Sequence, residues 1–537
     1  MKKCLVIVLF FTASLFSFSQ PLQRPKLVVG MMVDQMRWDY LYRYYDRYEA
    51  NGFRRLLREG FSCENTMIPY AQTITAPGHT CVYTGSVPAI HGIQGNDWYD
   101  KSLKKTVYCV GDDSVKIIGG TEKSEPMSPK NLWTTTIGDE LRLATNFKSK
   151  VIAIALKDRA AVLPGGHTAN AAYWYDNYTA NWVSSSYYMD ALPSWVNDFN
   201  KKRWVDSFYS KNWNTLYPIS TYTQSDKDNA EYEGKFAHEA APVFPHELSS
   251  MIGKNYELFR STPYGNTFTF NFAKEAIKSE SLGKNGVTDF LAISFSSPDN
   301  IGHQFGPNSI EQEDDYLRLD KDLADFLDYL DKEIGKGQYL FFISADHAVA
   351  QVPALLQAHR IDAKTLTNTT GDIEKKIDEK FKVKHAFAST NNYQIYLNDG
   401  AIDSARVNKK EIKKFVVDLL NKDPNLLIAF DSDDINNVNL PQRVREMFIN
   451  GYNTKRGGDI IFIVKPGDFY GGKTGTTHGT WYPYDAHIPL VWFGWNVRPG
   501  SLNREIYMTD IAPTVAALLH VQMPSGSIGH VIEEVKK

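Results

Sequence analysis

Four apolar runs set the architecture. Residues 26–33 (Lys-Leu-Val-Val-Gly-Met-Met-Val), 150–156 (Lys-Val-Ile-Ala-Ile-Ala-Leu), 289–295 and 338–344 are nearly continuous in hydrophobic and β-branched side chains, the pattern of strands buried on both faces. Helical spacing of apolar residues separates them, at residues 39–58, 132–144 and 309 to about 334. Strands alternating with helices at this rhythm predict an α/β fold with a mainly parallel central sheet. In such sheets ligands collect beyond the carboxyl ends of the strands. Asp34, Lys157, Asp299 and Asp346 all stand at such ends, so a shared site is expected there.

Two long stretches interrupt the rhythm, at about residues 165–262 and 352–456. Both are read as insertions capping or flanking a single domain that spans residues 20–537. The first is rich in Tyr and Trp, suited either to lining a substrate cleft or to ordinary packing; the second carries a helix near residues 410–422 and a short strand near 393–397. Residues 61–68 read as a strand, and the chain closes with a strand at 488–493 and a helix at 509–519. No internal repeat is evident.

Residues 1–19 combine Lys2 and Lys3, an apolar core from Leu5 to Phe16, and the small-x-small site Ser17-Phe18-Ser19. This is the composition of a secretory signal, and its core is too short to serve as a membrane anchor. A periplasmic or secreted protein is expected, and Cys4 leaves with the signal. Cys63, Cys81 and Cys109 then remain, enough for one disulfide and one thiol. Without Lys2 and Lys3 the chain holds 57 basic against 62 acidic residues, and no basic run, which argues against a nucleic-acid partner.

The segment Gln72-Thr-Ile-Thr-Ala-Pro-Gly-His-Thr-Cys-Val-Tyr-Thr-Gly85 places Thr75 just ahead of Pro77, a residue favoured at the first position of a helix. Alone, Thr75 reads as a helix cap; at a helix N-terminus its hydroxyl also stands where a phosphate is attracted. Asp299-Asn-Ile-Gly-His303 sets a carboxylate and an imidazole four residues apart, Asp346-His347 lies at a strand exit, and His478 lies in the loop Gly475-Thr-Thr-His-Gly-Thr480. With Asp34 and Thr75 they form an oxygen and nitrogen set suited to two zinc ions. His487 competes with His478 for the last place.

Taken in order, these motifs resemble the alkaline phosphatase superfamily over nearly the whole exported chain, and within it the PafA-type bacterial phosphatases that use a threonine nucleophile. The resemblance implies one zinc on Asp34, Thr75, Asp346 and His347, and a second on Asp299, His303 and His478. It prefers His478 to His487 because related phosphodiesterases take their last ligand from a His-Gly pair. It further implies that Asn96 donates to a phosphoryl oxygen, and that Lys157 and Arg159 hold the remaining phosphate charge, with Lys157 in the space magnesium takes in other alkaline phosphatases.

The expected reaction is hydrolysis of small-molecule phosphate monoesters through a threonyl-phosphate, with the hydroxyl activated by zinc. A Lys and an Arg suit a monoester dianion; a diester would sooner meet an apolar pocket, so a phosphodiesterase is the alternative. The sulfatase motif is absent, since Thr75 cannot supply the aldehyde and no arginine follows Pro77 at the required spacing. A secreted glycan-binding protein is the reading from another class. A monomer is expected.

Overall fold

The computed structural model describes residues 23–367 and 370–537; the expected secretory signal, with Cys4, lies outside the described residues. A ten-stranded sheet runs through the molecule in the order Gly500–Leu502, Phe61–Cys63, Leu490–Gly494, Tyr339–Ser344, Leu27–Val33, Asp289–Phe295, Val151–Ala155, Ala171–Asp176, Asn181–Ser185, Ile117–Ile118. The middle five strands are all parallel. In Leu27–Val33 and Asp289–Phe295 every residue is buried, which is why these segments read as unbroken apolar runs. Gly30 pairs with Ala292 on one side and Phe342 on the other. This is the expected α/β fold with a mainly parallel central sheet.

Several elements depart from the sequence reading. The helix expected over residues 39–58 is broken into Tyr40–Arg43, a 3₁₀ turn at Tyr45–Arg47, and Phe53–Glu59. The cause is Asp320, on the long helix Ile310–Leu330. Its carboxylate accepts from the N–H of Glu49 at 2.6 Å and of Phe53 at 2.7 Å, and a Cβ on Gly52 would stand 2.1 Å from its Oδ1. The single strand expected at 61–68 is two short ones, Phe61–Cys63 in the main sheet and Thr66–Met67 in a separate three-stranded sheet. Cys63, Cys81 and Cys109 are buried free thiols, so the expected disulfide does not form among the described residues.

Within residues 165–262, Ala171–Asp176 and Asn181–Ser185 join the main sheet. The aromatic residues here pack: Trp182 is fully buried and stacks on Phe272 at 4.4 Å between ring centroids. Farther along, an antiparallel sheet of Phe387–Asn391, Gln394–Leu397, Ile460–Val464 and Leu426–Asp431 carries the helix Lys409–Leu420. Ile395, Ile412, Val416 and Ile460 centre its separate core. One of its strands, Ile460–Val464, lies beyond residue 456.

Candidate active site

Four adjacent parallel strands deliver the chemistry side by side. Tyr339–Ser344 leads to Asp346 and His347, Leu27–Val33 to Asp34 and Gln35, Asp289–Phe295 to Asp299 at the start of the helix Ser297–Phe305, and Val151–Ala155 to Lys157. All these site residues are buried. Thr75 arrives from outside the sheet, as the first residue of the helix Thr75–Thr84. Ile74, in an extended conformation, precedes the helix, and Pro77 is its third residue rather than its first. The Thr75 hydroxyl makes no capping bond; its Oγ1 lies 3.5 Å from His347 Nε2.

Two donor clusters meet at His347. In one, oxygens of Asp34 and Asp346 and a nitrogen of His347 lie within 4.8 Å of one another; in the other, Asp299, His347 and His478 do the same. His303 Nε2 is 3.1 Å from Asp299 Oδ1, and the rings of His347 and His478 stack with centroids 3.4 Å apart. Each imidazole is turned by a main-chain carbonyl: Nδ1 of His303 meets Thr476 O at 2.8 Å, that of His347 meets Ala348 O at 2.9 Å, and that of His478 meets Thr73 O at 2.6 Å. This leaves the Nε2 atoms directed at the carboxylates, the orientation a metal-binding histidine requires.

The donor set passes a further test for cations. Asp34 Oδ1 is buried with no hydrogen-bond partner, an arrangement that costs free energy unless something positive meets it. Burial, joined by the charges of Asp299 and Asp346, pushes the Asp34 carboxyl well above its usual range. Burial acts to raise Asp299 too, but His303 and Lys157 hold it well below. Burial and the imidazoles of His347 and His303 keep His478 far below the ordinary histidine range, so it is neutral and able to ligate. Nitrogen and oxygen ligands of this kind suit zinc.

Lys157 sits between the clusters, its Nζ 2.7 Å from Asp34 Oδ2 and 2.5 Å from Asp299 Oδ2. Asn96 Oδ1 accepts from the N–H of Ala76 at 3.0 Å, which fixes the amide beside Thr75, on the wall of a cavity of about 650 Å³. Arg159 lies to one side: its Nη1 donates to Tyr108 OH at 3.2 Å, and burial holds the carboxyl of Asp97, the neighbour of Asn96, above its usual range against the opposing charge of Arg159. His487 is elsewhere, stacked on Trp38 and bonded to Glu64 O at 2.8 Å.

Two site residues escaped the sequence reading. His79, in the Thr75 helix, is fully buried; its Nδ1 lies 3.0 Å from Thr75 O and 3.2 Å from Asp346 Oδ2, and its Nε2 lies 2.7 Å from Ser294 Oγ. Gln35, at a φ of 65°, gives its backbone N–H to Asp346 Oδ1 and its side-chain amide to Asp299 Oδ1. The His in Ala-Pro-Gly-His was visible as a titratable residue near Thr75; nothing in the sequence marked Gln35.

Sheet, crossover helices and the acidic and imidazole clusters at the strand ends define the class as the alkaline phosphatase superfamily. The profile of the type I phosphodiesterase / nucleotide pyrophosphatase family matches residues 28–487, and the chain belongs to that family. It is 53% identical over 520 residues to the alkaline phosphatase PhoV of Synechococcus elongatus, covering 97% of this chain and 94% of the relative. A Myroides odoratus protein named a calcium-transporting ATPase is 51% identical, over 98% of this chain and 97% of its own. The crystal structure of wild-type alkaline phosphatase PafA superposes with a TM-score of 0.95 at 46% identity, covering 96% of this chain and all of that one.

Proposed function

We propose that the protein is a zinc-dependent alkaline phosphatase, exported to the periplasm or beyond, that cleaves phosphate monoesters through a phosphothreonine at Thr75. The observation that carries the reading is the Thr75 hydroxyl standing at the buried junction of two donor clusters, with Lys157 between them. The relatives named alkaline phosphatases support it. Among the described residues no helix is long and apolar enough to cross a membrane.

One zinc would be held by Asp34, Thr75, Asp346 and His347 and another by Asp299, His303 and His478, supplying Lewis acidity to the hydroxyl and to the ester oxygen that departs. Thr75 Oγ1 gives up its proton and attacks phosphorus as the bond to the ester oxygen breaks, and the departing alkoxide takes up a proton from water to leave as the alcohol. The helix Thr75–Thr84 presents its N-terminus to the phosphoryl oxygens. Asn96, its carbonyl occupied by Ala76 N–H, has its NH₂ left to donate to one of them. Lys157 and Arg159 supply positive charge that a dianion repays more fully than a monoanionic diester. Water then hydrolyses the phosphothreonine and frees inorganic phosphate.

Thr75→Val keeps the shape and removes the oxygen. Loss of phenyl phosphate turnover by at least about 10³-fold is expected, as for removal of other nucleophiles, together with loss of the acid-stable phosphoprotein trapped by quenching. Lys157→Ala and Arg159→Ala distinguish monoester from diester: phenyl phosphate turnover should fall by about 10²-fold or more, methyl phenyl phosphate turnover by less. Equal losses on both esters would favour the diesterase.

A further inference from the structure

The cavity beside Asn96 is bounded on its far side by the inserted antiparallel sheet, through Thr390, Asn391, Asn392, Tyr393 and Phe462, and by Tyr470 of the short neighbouring strand Phe469–Tyr470. Its near wall includes His303 and His478. A group leaving phosphorus therefore departs between the donor clusters and this inserted sheet. Among the described residues the lining holds no Lys or Arg.

The wall is built around an unusual turn. Phe387–Asn391 and Gln394–Leu397 form a hairpin with Asn391 paired to Gln394, so that Asn392 and Tyr393 alone make the turn. Their φ angles are 52° and 57°. A two-residue turn with both residues at positive φ takes Asn-Gly by preference, because a Cβ is strained there. Asn392 fits the rule and Tyr393 breaks it. Such an outlier persists only where the surroundings hold it, and it points to a use for the side chain. The Tyr393 ring lies 5.9 Å from Phe462 and 6.0 Å from Tyr470, centroid to centroid, and a Cβ on Gly479 would be 3.6 Å from its Cε2. Gly479 follows His478. Asn391 and Asn392 hold the turn in place, each giving its side-chain amide to Asp97 O, at 3.1 and 3.0 Å.

We infer that the Asn392–Tyr393 turn is the leaving-group subsite of this phosphatase, an uncharged wall of aromatic ring and amides that selects monoesters of neutral aryl or other ring-bearing alcohols and disfavours leaving groups carrying a further negative charge. The inference rests on the monoesterase reading. An aromatic face packs on a flat leaving group, while an anion brought against this far wall, which offers no Lys or Arg, loses water and gains no partner there.

The test measures kcat/KM of the zinc-loaded protein for methyl phosphate, phenyl phosphate and a carboxyphenyl phosphate. The wild type should prefer phenyl over carboxyphenyl phosphate by about tenfold, the size of one modest recognition contact. Tyr393→Gly supplies the residue the turn prefers, so the hairpin is kept while the ring is lost. The phenyl-to-methyl ratio should then fall about tenfold, and Tyr393→Phe should retain it, since the ring face is what packs. A ratio unchanged in Tyr393→Gly, or a wild type indifferent to the carboxylate, overturns the subsite. Turnover of methyl phosphate, whose leaving group is too small to reach the wall, reports the underlying reaction: a wild type inert towards all three esters overturns the monoesterase reading itself.

Discussion

Lys157 is the residue on which the site's charge balance turns. It is 3% exposed and bonds to Asp34 and Asp299, carboxylates that would otherwise face each other across a buried space. Lys157→Met leaves both without their cation, and breaking a buried pair costs about 3–5 kcal/mol. Urea titration of metal-stripped protein should show that loss, and zinc should restore much of it by supplying positive charge at the same carboxylates. An unchanged midpoint would show that the lysine does not hold the clusters together. The gathering of Asp34, Asp299, Asp346 and His347 was legible in the sequence, because charged residues at the ends of apolar runs have few places to go. Gln35 was not: its role depends on a left-handed backbone angle that glutamine does not advertise.

The helix Thr75–Thr84 is held against the sheet by close contacts that only small residues allow. A Cβ on Gly78 would meet Asp346 O at 2.3 Å and Asp346 Cβ at 2.7 Å, and Tyr83 OH reaches Gly30 O at 3.1 Å. Gly78→Ala must push the helix away from the Asp346 loop, at a cost of about 1–3 kcal/mol for overpacking. Thr75 moves with it, so kcat should fall more than thermal stability alone explains. Full activity in Gly78→Ala would show that the helix position tolerates adjustment. The parallel strands were legible because burial on both faces leaves an unbroken apolar signature. The interrupted helix at 39–58 was not, since its break is imposed by Asp320, a residue 267 positions from Phe53.

At the scale of the molecule, stability should decline as the medium becomes alkaline. His246 is buried between Glu239 and Glu311, at 3.0 and 3.1 Å; burial opposes its charge, but the two glutamates raise it to about 9. Its contribution is complete below its ordinary value of 6.5 and is lost as pH rises through 9. Glu233 is raised to about 9 by burial and by Glu311. The native chain keeps that proton from pH 4.5 upward while the unfolded chain releases it, so this group also lowers stability across the window. Thermal melts should therefore fall between pH 6.5 and 9, and Glu233→Gln should flatten the slope by roughly 1 kcal/mol per pH unit. Parallel curves for the two proteins would remove Glu233 from the explanation. The inserted sheet was only partly legible: its helix and the strand at 394–397 showed, but the pairing with Ile460–Val464 is a long-range match between short apolar runs, which no local pattern encodes.

The donors are strung along the polypeptide from position 34 to position 478, and the last imidazole is braced by a carbonyl 405 residues earlier. A ribosome has to finish almost the whole protein before that brace can exist. Ion capture is thereby tied to completion of the fold, and a partly made or unravelled chain retains the acids of the early strands without the geometry that would let it sequester metal.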